Sequence, residues 1–298
     1  MNPNARPFPI PVVAALGPGS QPEDETLDYM PMPSGMDTYR PPVLPEPEEL
    51  AGHAIATQVL QAVIDAVASS LRGEAVAPIP LGGLPANELA LVNQVLGEGE
   101  VSAQVLARPE TRSFGADAVR VRVQESVFAG VWRVLAIDDD GALHDHIEVG
   151  AIPAALIEAA RDDAQAPRTA PGPLPAQMVN VPTILVELAD QRERWSPGQD
   201  AHVVNLTLLP LSPDDIAHID HQLGTGRVVI LSRGYGNCRI TNTLAANTWR
   251  VVYYTSQDKV ILNAIEVSTL PEVACAAQED LADTHERLSE VLQWVEQA

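Results

Sequence analysis

The sequence predicts an α+β protein of two similar domains from an internal duplication, each a small antiparallel sheet with helices packed on one side, plus an extended proline-rich N-terminal arm. Three observations carry this reading. First, Leu96-Gly-Glu-Gly-Glu-Val101, Val131-Trp-Arg-Val134 and Ile147-Glu-Val149 recur in the same order as Leu223-Gly-Thr-Gly-Arg-Val228, Thr248-Trp-Arg-Val251 and Ile265-Glu-Val267. Repetition within a chain speaks to architecture directly. Second, Ala118-Val-Arg-Val-Arg-Val-Gln124 alternates apolar and polar residues, as a half-exposed antiparallel strand does. Third, residues 1–49 hold 12 of the 26 prolines, and proline removes backbone donors and fixes φ. The expected boundaries are an arm over 1–49, a first α+β repeat over 50–161, a proline-rich linker over 162–180 and a second repeat over 181–298.

Within the arm, Leu16-Gly-Pro-Gly-Ser-Gln-Pro22 reads as a tight turn, and Tyr29-Met-Pro-Met-Pro33 places large apolar groups on an extended segment. Helical spacing of Leu60, Val63, Ile64, Val67 and Leu71 predicts a helix from Glu49 to Leu71. Pro85 opens a second helix with Leu89, Val92 and Leu96 on one face, ended by Gly97. Strands follow over 100–106, 118–124, 128–137 and 144–149, with Asp138-Asp-Asp-Gly141 as a turn, and a helix over 152–160 closes the unit. The second repeat reads as a helix over 182–195 and a strand over 202–208. Next comes a helix capped by Ser212, with Pro213 in its first turn and Asp215 completing an acidic capping box. Strands over 227–232, 238–242, 248–255 and 260–267 and a helix over 279–297 complete the chain.

Composition narrows the function. With 18 Lys and Arg against 40 Asp and Glu, the formal charge of -22 repels nucleic acid and anionic lipid and favours solubility or a basic protein partner. Cys238 and Cys275 are the only cysteines, so no CxxC pair exists for zinc, a self-contained iron–sulfur centre or thioredoxin-type chemistry. No apolar run approaches the roughly 20 residues of a membrane span, and no signal-peptide core follows Met1. A cytoplasmic protein that neither inserts into membranes nor binds nucleic acid is expected, and no cofactor.

The candidate chemistry is sparse. Gly97-Glu-Gly99 and Gly224-Thr-Gly226 follow a helix and precede a strand, the reverse of a phosphate loop, so they read as turns that leave the helix through a left-handed position. His218 with His221, and His144 with His146, offer paired nitrogens for a metal but read more simply as exposed residues. Arg233-Gly-Tyr-Gly-Asn-Cys-Arg239 is the most unusual local sequence. It reads as a structured hairpin, with a recognition surface and an arginine-activated Cys238 thiol as alternatives. Trp132 and Trp249 read as core anchors, and Glu148 and Glu266 are placed to pair with Arg133 and Arg250 or to bind a basic partner. No catalytic, cofactor or metal residue is assigned. The candidate partner-binding residues are Tyr29, Met30, Met32, Glu98, Arg233, Tyr235, Asn237 and Arg239.

The arm motif Leu16–Pro22, the runs Val95–Ser102 and Phe128–Val134, Arg233-Gly-Tyr-Gly236, Leu270-Pro-Glu-Val273 and Arg287–Trp294 together resemble the HyaF/HupH/HoxQ family. The resemblance spans nearly the whole chain. It implies a non-catalytic accessory chaperone for the iron–sulfur small subunit of a membrane-bound nickel–iron uptake hydrogenase, acting before Tat export. The implied partners are the hydrogenase small-subunit precursor and a thioredoxin-like hydrogenase accessory protein. A structural adaptor between maturation proteins, or a cluster- or thiol-handling maturase, stays open at this point.

Overall fold

In the computed structural model, residues 52–108, 119–167, 178–234 and 236–296 are described, together with 172, 173 and 175. The elements run α1 (Ala54–Leu71), β1 (Ile79–Pro80), α2 (Ala86–Leu96), β2 (Val101–Leu106), β3 (Val119–Glu125), β4 (Val131–Ile137), β5 (Leu143–Val149) and α3 (Ala154–Gln165). There follow α4 (Asn180–Arg194), β6 (His202–Asn205), a 3-10 turn (Leu206–Leu208), α5 (Pro213–Leu223), β7 (Val228–Ser232), β8 (Asn237–Asn242), β9 (Thr248–Tyr254), β10 (Val260–Val267), a second 3-10 turn (Glu272–Ala274) and α6 (Gln278–Glu296).

All ten strands form one continuous antiparallel sheet in the order β1-β5-β4-β3-β2-β7-β8-β9-β10-β6. This corrects the expectation of two small antiparallel sheets, one in each of two similar repeats. The physical reason lies at β2 and β7, the strands that follow the glycine turns. Each would be an open edge in an isolated half, and edges invite pairing. They pair with each other instead, Val101 opposite Ser232 and Ala103 opposite Ile230. The strand order reads symmetrically outward from that junction.

Helices also cross between the halves. Helix α3 lies against the second half, where buried Asp163 accepts from the Arg227 backbone N–H at 2.7 Å, Arg227 Nε at 2.6 Å and Asn242 Nδ2 at 3.0 Å. Helix α6 returns to the first half, where Thr284 Oγ1 donates to the Ala129 carbonyl and Leu281 closes over Gly130. A carboxylate bound by three donors, two of them from one arginine, holds its helix far more firmly than a surface ion pair.

The sheet has two faces. Ala103, Val123, Val134, Trp132, Ile230, Ile240, Val251 and Trp249 point to one side, where Leu156 and Ala159 of α3 and Leu270 to Ala276 complete the core. Both tryptophans are buried as expected, and each indole N–H donates to a carbonyl beyond the next strand, Gly150 for Trp132 and Thr269 for Trp249. On the other side the helices cover only the ends. One cluster joins α1, α2 and α6 to Val131 and Ile147. Another joins α4 and α5 to Ile265 and Val267.

Local differences from the sequence reading have local causes. The Ser212–Asp215 capping box forms as expected. Gly97 and Gly224 end their helices at φ 55 and 71, but with extended ψ, so they are not left-handed helical. Strand β6 stops at Asn205, whose side chain accepts from the Thr207 N–H and turns the chain into a 3-10 helix. Glu88 of α2 supplies the cap of α1, accepting from the Ala56 N–H at 2.8 Å. By length and composition α1 is apolar enough to cross a membrane, unlike the sequence expectation, although its stripe Ala56, Leu60, Val63 and Val67 lies in the core.

Candidate functional site

Among the described residues the middle of the helix-poor face is open, and alternation decides what it presents. Two cross-strand rows run across it. One passes through Leu135, Arg122, Gln104, Val229, Thr241 and Arg250, and the other through Arg133, Gln124, Ser102, Leu231, Arg239 and Val252. Helix α2 walls one side, because Arg133 Nη1 of β4 donates to Asn93 Oδ1. Helix α5 walls the other, because Arg250 of β9 pairs with Asp220 at 3.3 Å. Against α2 the face deepens into a groove of about 700 Å³, lined by Glu98, Gln104, Arg122, Gln124 and Leu135 among others.

The charge on this face runs against the rest of the chain. The side chains of Arg122 and Arg239 are exposed and make no hydrogen bond or ion pair among the described residues, and the two residues occupy corresponding places on β3 and β8. Half-buried Leu135, Val229 and Val252 and exposed Leu231 lie between and beside them. An open sheet face with apolar patches and free guanidinium groups is built to accept another surface rather than to carry out a reaction.

Of the residues singled out from sequence, the structure brings Glu98, Asn237 and Arg239 to this face. Glu98 lies on the groove rim, and Asn237 shares the side of β8 with Arg239. Arg233 lies in the turn after β7, its backbone N–H donating to the Glu100 carbonyl. Tyr29, Met30, Met32 and Tyr235 lie outside the described residues. Sequence reasoning missed Arg122, Gln104 and Leu231. The alternation in Val119–Val123 marked Arg122 as outward-facing, but only the β2–β7 pairing shows that both halves share this face.

Other candidates resolve without chemistry. Burial pushes the Cys238 thiol up to about 11, with a Tyr253 hydrogen bond opposing and Glu266 adding to the rise. Burial and then Glu272 and Glu266 push Cys275 to about 11 as well. The arginine-activated thiol is thereby overturned: alternation sends Arg239 to the open face and Cys238 into the core. The two pairings expected for Glu148 and Glu266 with Arg133 and Arg250 do not form. The arginines point to the opposite face, and Glu148 instead meets His146 at 3.0 Å and accepts from the Ala154 N–H that starts α3. His144 meets Asp138 at 2.8 Å, and His218 Nδ1 contacts the Asp214 carbonyl oxygen. Among the described residues no group of three or more His, Cys, Asp or Glu is placed to hold a metal ion.

One titratable group stands out. Glu125 is buried at the end of β3, and burial raises its carboxyl to about 7. Backbone N–H groups of Gly130 and Val101 oppose the rise, and Glu100 and Asp280 reinforce it. Its place is filled in the second half by Asn242, whose Oδ1 accepts from the Val228 N–H.

A family model described as "HupH hydrogenase expression protein, C-terminal conserved region" matches the chain twice, over residues 54–170 and 178–295. The hydrogenase expression/formation protein HoxQ of Cupriavidus necator is 53% identical over 288 residues, covering 97% of this chain and 98% of its own length. HupH of Rhodobacter capsulatus, another hydrogenase expression/formation protein, is 45% identical over 287 residues, with coverage of 96% and 98%. Among solved structures, the hydrogenase expression protein HupH from Thiobacillus denitrificans matches 39% of this chain and 96% of its own at 25% identity, with a TM-score of 0.36.

Proposed function

We propose, from the premise that this chain belongs to the HyaF/HupH/HoxQ family of hydrogenase expression/formation proteins, that it works by holding another polypeptide on its open sheet face. The coarse role is that of an accessory protein in hydrogenase maturation, not a catalyst. In the finer reading it binds the iron–sulfur small-subunit precursor of a membrane-bound nickel–iron uptake hydrogenase in the cytoplasm, before Tat export and together with a thioredoxin-like accessory protein.

The observation that carries this reading is the open face itself, where apolar side chains and two free arginines stand uncovered by any described residue in a chain of charge -22. A thiol-handling role draws no support from the geometry, because burial pushes both thiols up to about 11, Cys238 inside the core and Cys275 half-buried against it. The test is a pull-down of isolated small-subunit precursor by the full chain. Retention above that given by an unrelated acidic protein is expected. Equal retention by the unrelated protein overturns the reading.

A further inference from the structure

We infer that the open face recognises an acidic, extended segment of the client, laid across the strands between α2 and α5 so that its carboxylates meet Arg122 and Arg239. This rests on the proposed function and specifies the chemistry of that same face. Overall charge alone points to a basic partner. Local charge points the other way, and short-range pairing is decided locally because salt screens charges beyond about 10 Å.

The geometry sets what the segment must look like. Arg122 and Arg239 lie on β3 and β8, separated by β2 and β7, so three strand spacings set them roughly 14 Å apart across the sheet, and an offset of two residues along the strands brings the separation to about 16 Å. Between them Gln104, Ser102, Val229 and Leu231 offer two polar and two apolar side chains. An extended chain covers that distance in about four to five residues. Two acidic residues about four to five apart, with an apolar residue between them, fit the face. Arginine suits the task, since its planar fork can take a carboxylate through two parallel hydrogen bonds. Arg133 and Arg250 on the same face are already engaged, with Asp145 and with Asp220, and leave the two exposed arginines as the free cations of these rows.

The test uses the full chain and isolated small-subunit precursor. The double variant Arg122→Glu and Arg239→Glu is compared with Arg194→Glu, which reverses an exposed charge on α4 already paired with Asp190. The double variant is expected to weaken precursor binding at least tenfold, and the control to stay within twofold. A photo-crosslinker at Gln104 or Leu231 should attach to an acid-containing stretch of the precursor. Wild-type binding with an unaffected double variant overturns the acidic-segment inference and leaves the client reading standing. So does attachment to a neutral or basic stretch, to a second copy of this chain, or to the chain's own residues 1–49. Failure of the wild-type chain to bind the precursor overturns both. Because both arginines are exposed and unpaired, their reversal should leave the unfolding midpoint unchanged, so lost binding reports on the surface and not on folding.

Discussion

Residues 54–167 and 178–296 lay down corresponding strands around the β2–β7 junction, yet they keep their buried charge in different places. The second half receives Asp163 from the first and surrounds it with Arg227 and Asn242. The first half keeps Glu125 at the place of Asn242, beneath α6 and with no cation in contact among the described residues. The lesson is that equal topology does not mean equal energetics: one buried acid binds the halves together, and the other is a burden the fold tolerates. The largest expected effect tests the first of these. Asp163→Ala leaves Arg227 and Asn242 without their acceptor, and removal of one member of a buried ion pair costs about 3–5 kcal/mol. Urea unfolding should show a single transition moved to lower midpoint. A midpoint within experimental error of wild type would break the claim that α3 secures the junction.

Glu125 tests the second. Its folded carboxyl titrates near 7, above the ordinary carboxylate range, so between those values the folded chain holds a proton that the unfolded chain has lost. Stability therefore falls as pH rises through that window and levels off above about 7. The loss is on the order of 3 kcal/mol, since each pKa unit is worth about 1.4 kcal/mol. Glu125→Gln imitates the amide at Asn242 and should flatten stability between about pH 5 and pH 7 while leaving it little changed at acid pH. An unchanged slope in the variant would assign the pH dependence to other groups.

Much of the local structure was legible. Alternation located β3, the Ser212 capping box forms as read, and Trp132 and Trp249 are core anchors because their flanking residues alternate around them. What failed was the relation between the halves. Nothing in Val101–Leu106 or Val228–Ser232 taken alone reports that each pairs with the other, because a strand buried on one face has the same pattern whether its edge meets a hairpin neighbour or a distant segment. The same blindness hid the candidate site. Arg239 was picked out for its unusual sequence neighbours, whereas Arg122 lay in an ordinary alternating strand, and only the shared sheet puts the two on one face. The alternative of an arginine-activated Cys238 fails for the related reason that sequence proximity to Arg239 means opposite faces on a strand.

The smallest expected effect sharpens the comparison at the arginines that tie helix to sheet. In the first half Arg133 takes the strand residue Asp145 in two hydrogen bonds, at 3.0 and 2.6 Å, and the helix residue Asn93. In the second half the acid has moved to the helix, as Asp220, and the strand position holds Asn263. Arg250 then has one contact at 3.3 Å, while its Nη1 and the Asn263 Oδ1 are buried without hydrogen bonds. Burial lowers the Arg250 pKa against the pull of Asp220, and raises that of Asp220 against the pull of Arg250, so the second pair is the more poorly compensated. Arg133→Met should cost about 1–3 kcal/mol, because Asp145 is left half-buried without its donors. Arg250→Met should cost under about 1 kcal/mol, because it also removes a donor that had no acceptor. Urea midpoints of the two variants measure the difference directly. Equal losses would mean that the two arginines carry the same load and that moving the acid from strand to helix has no energetic consequence.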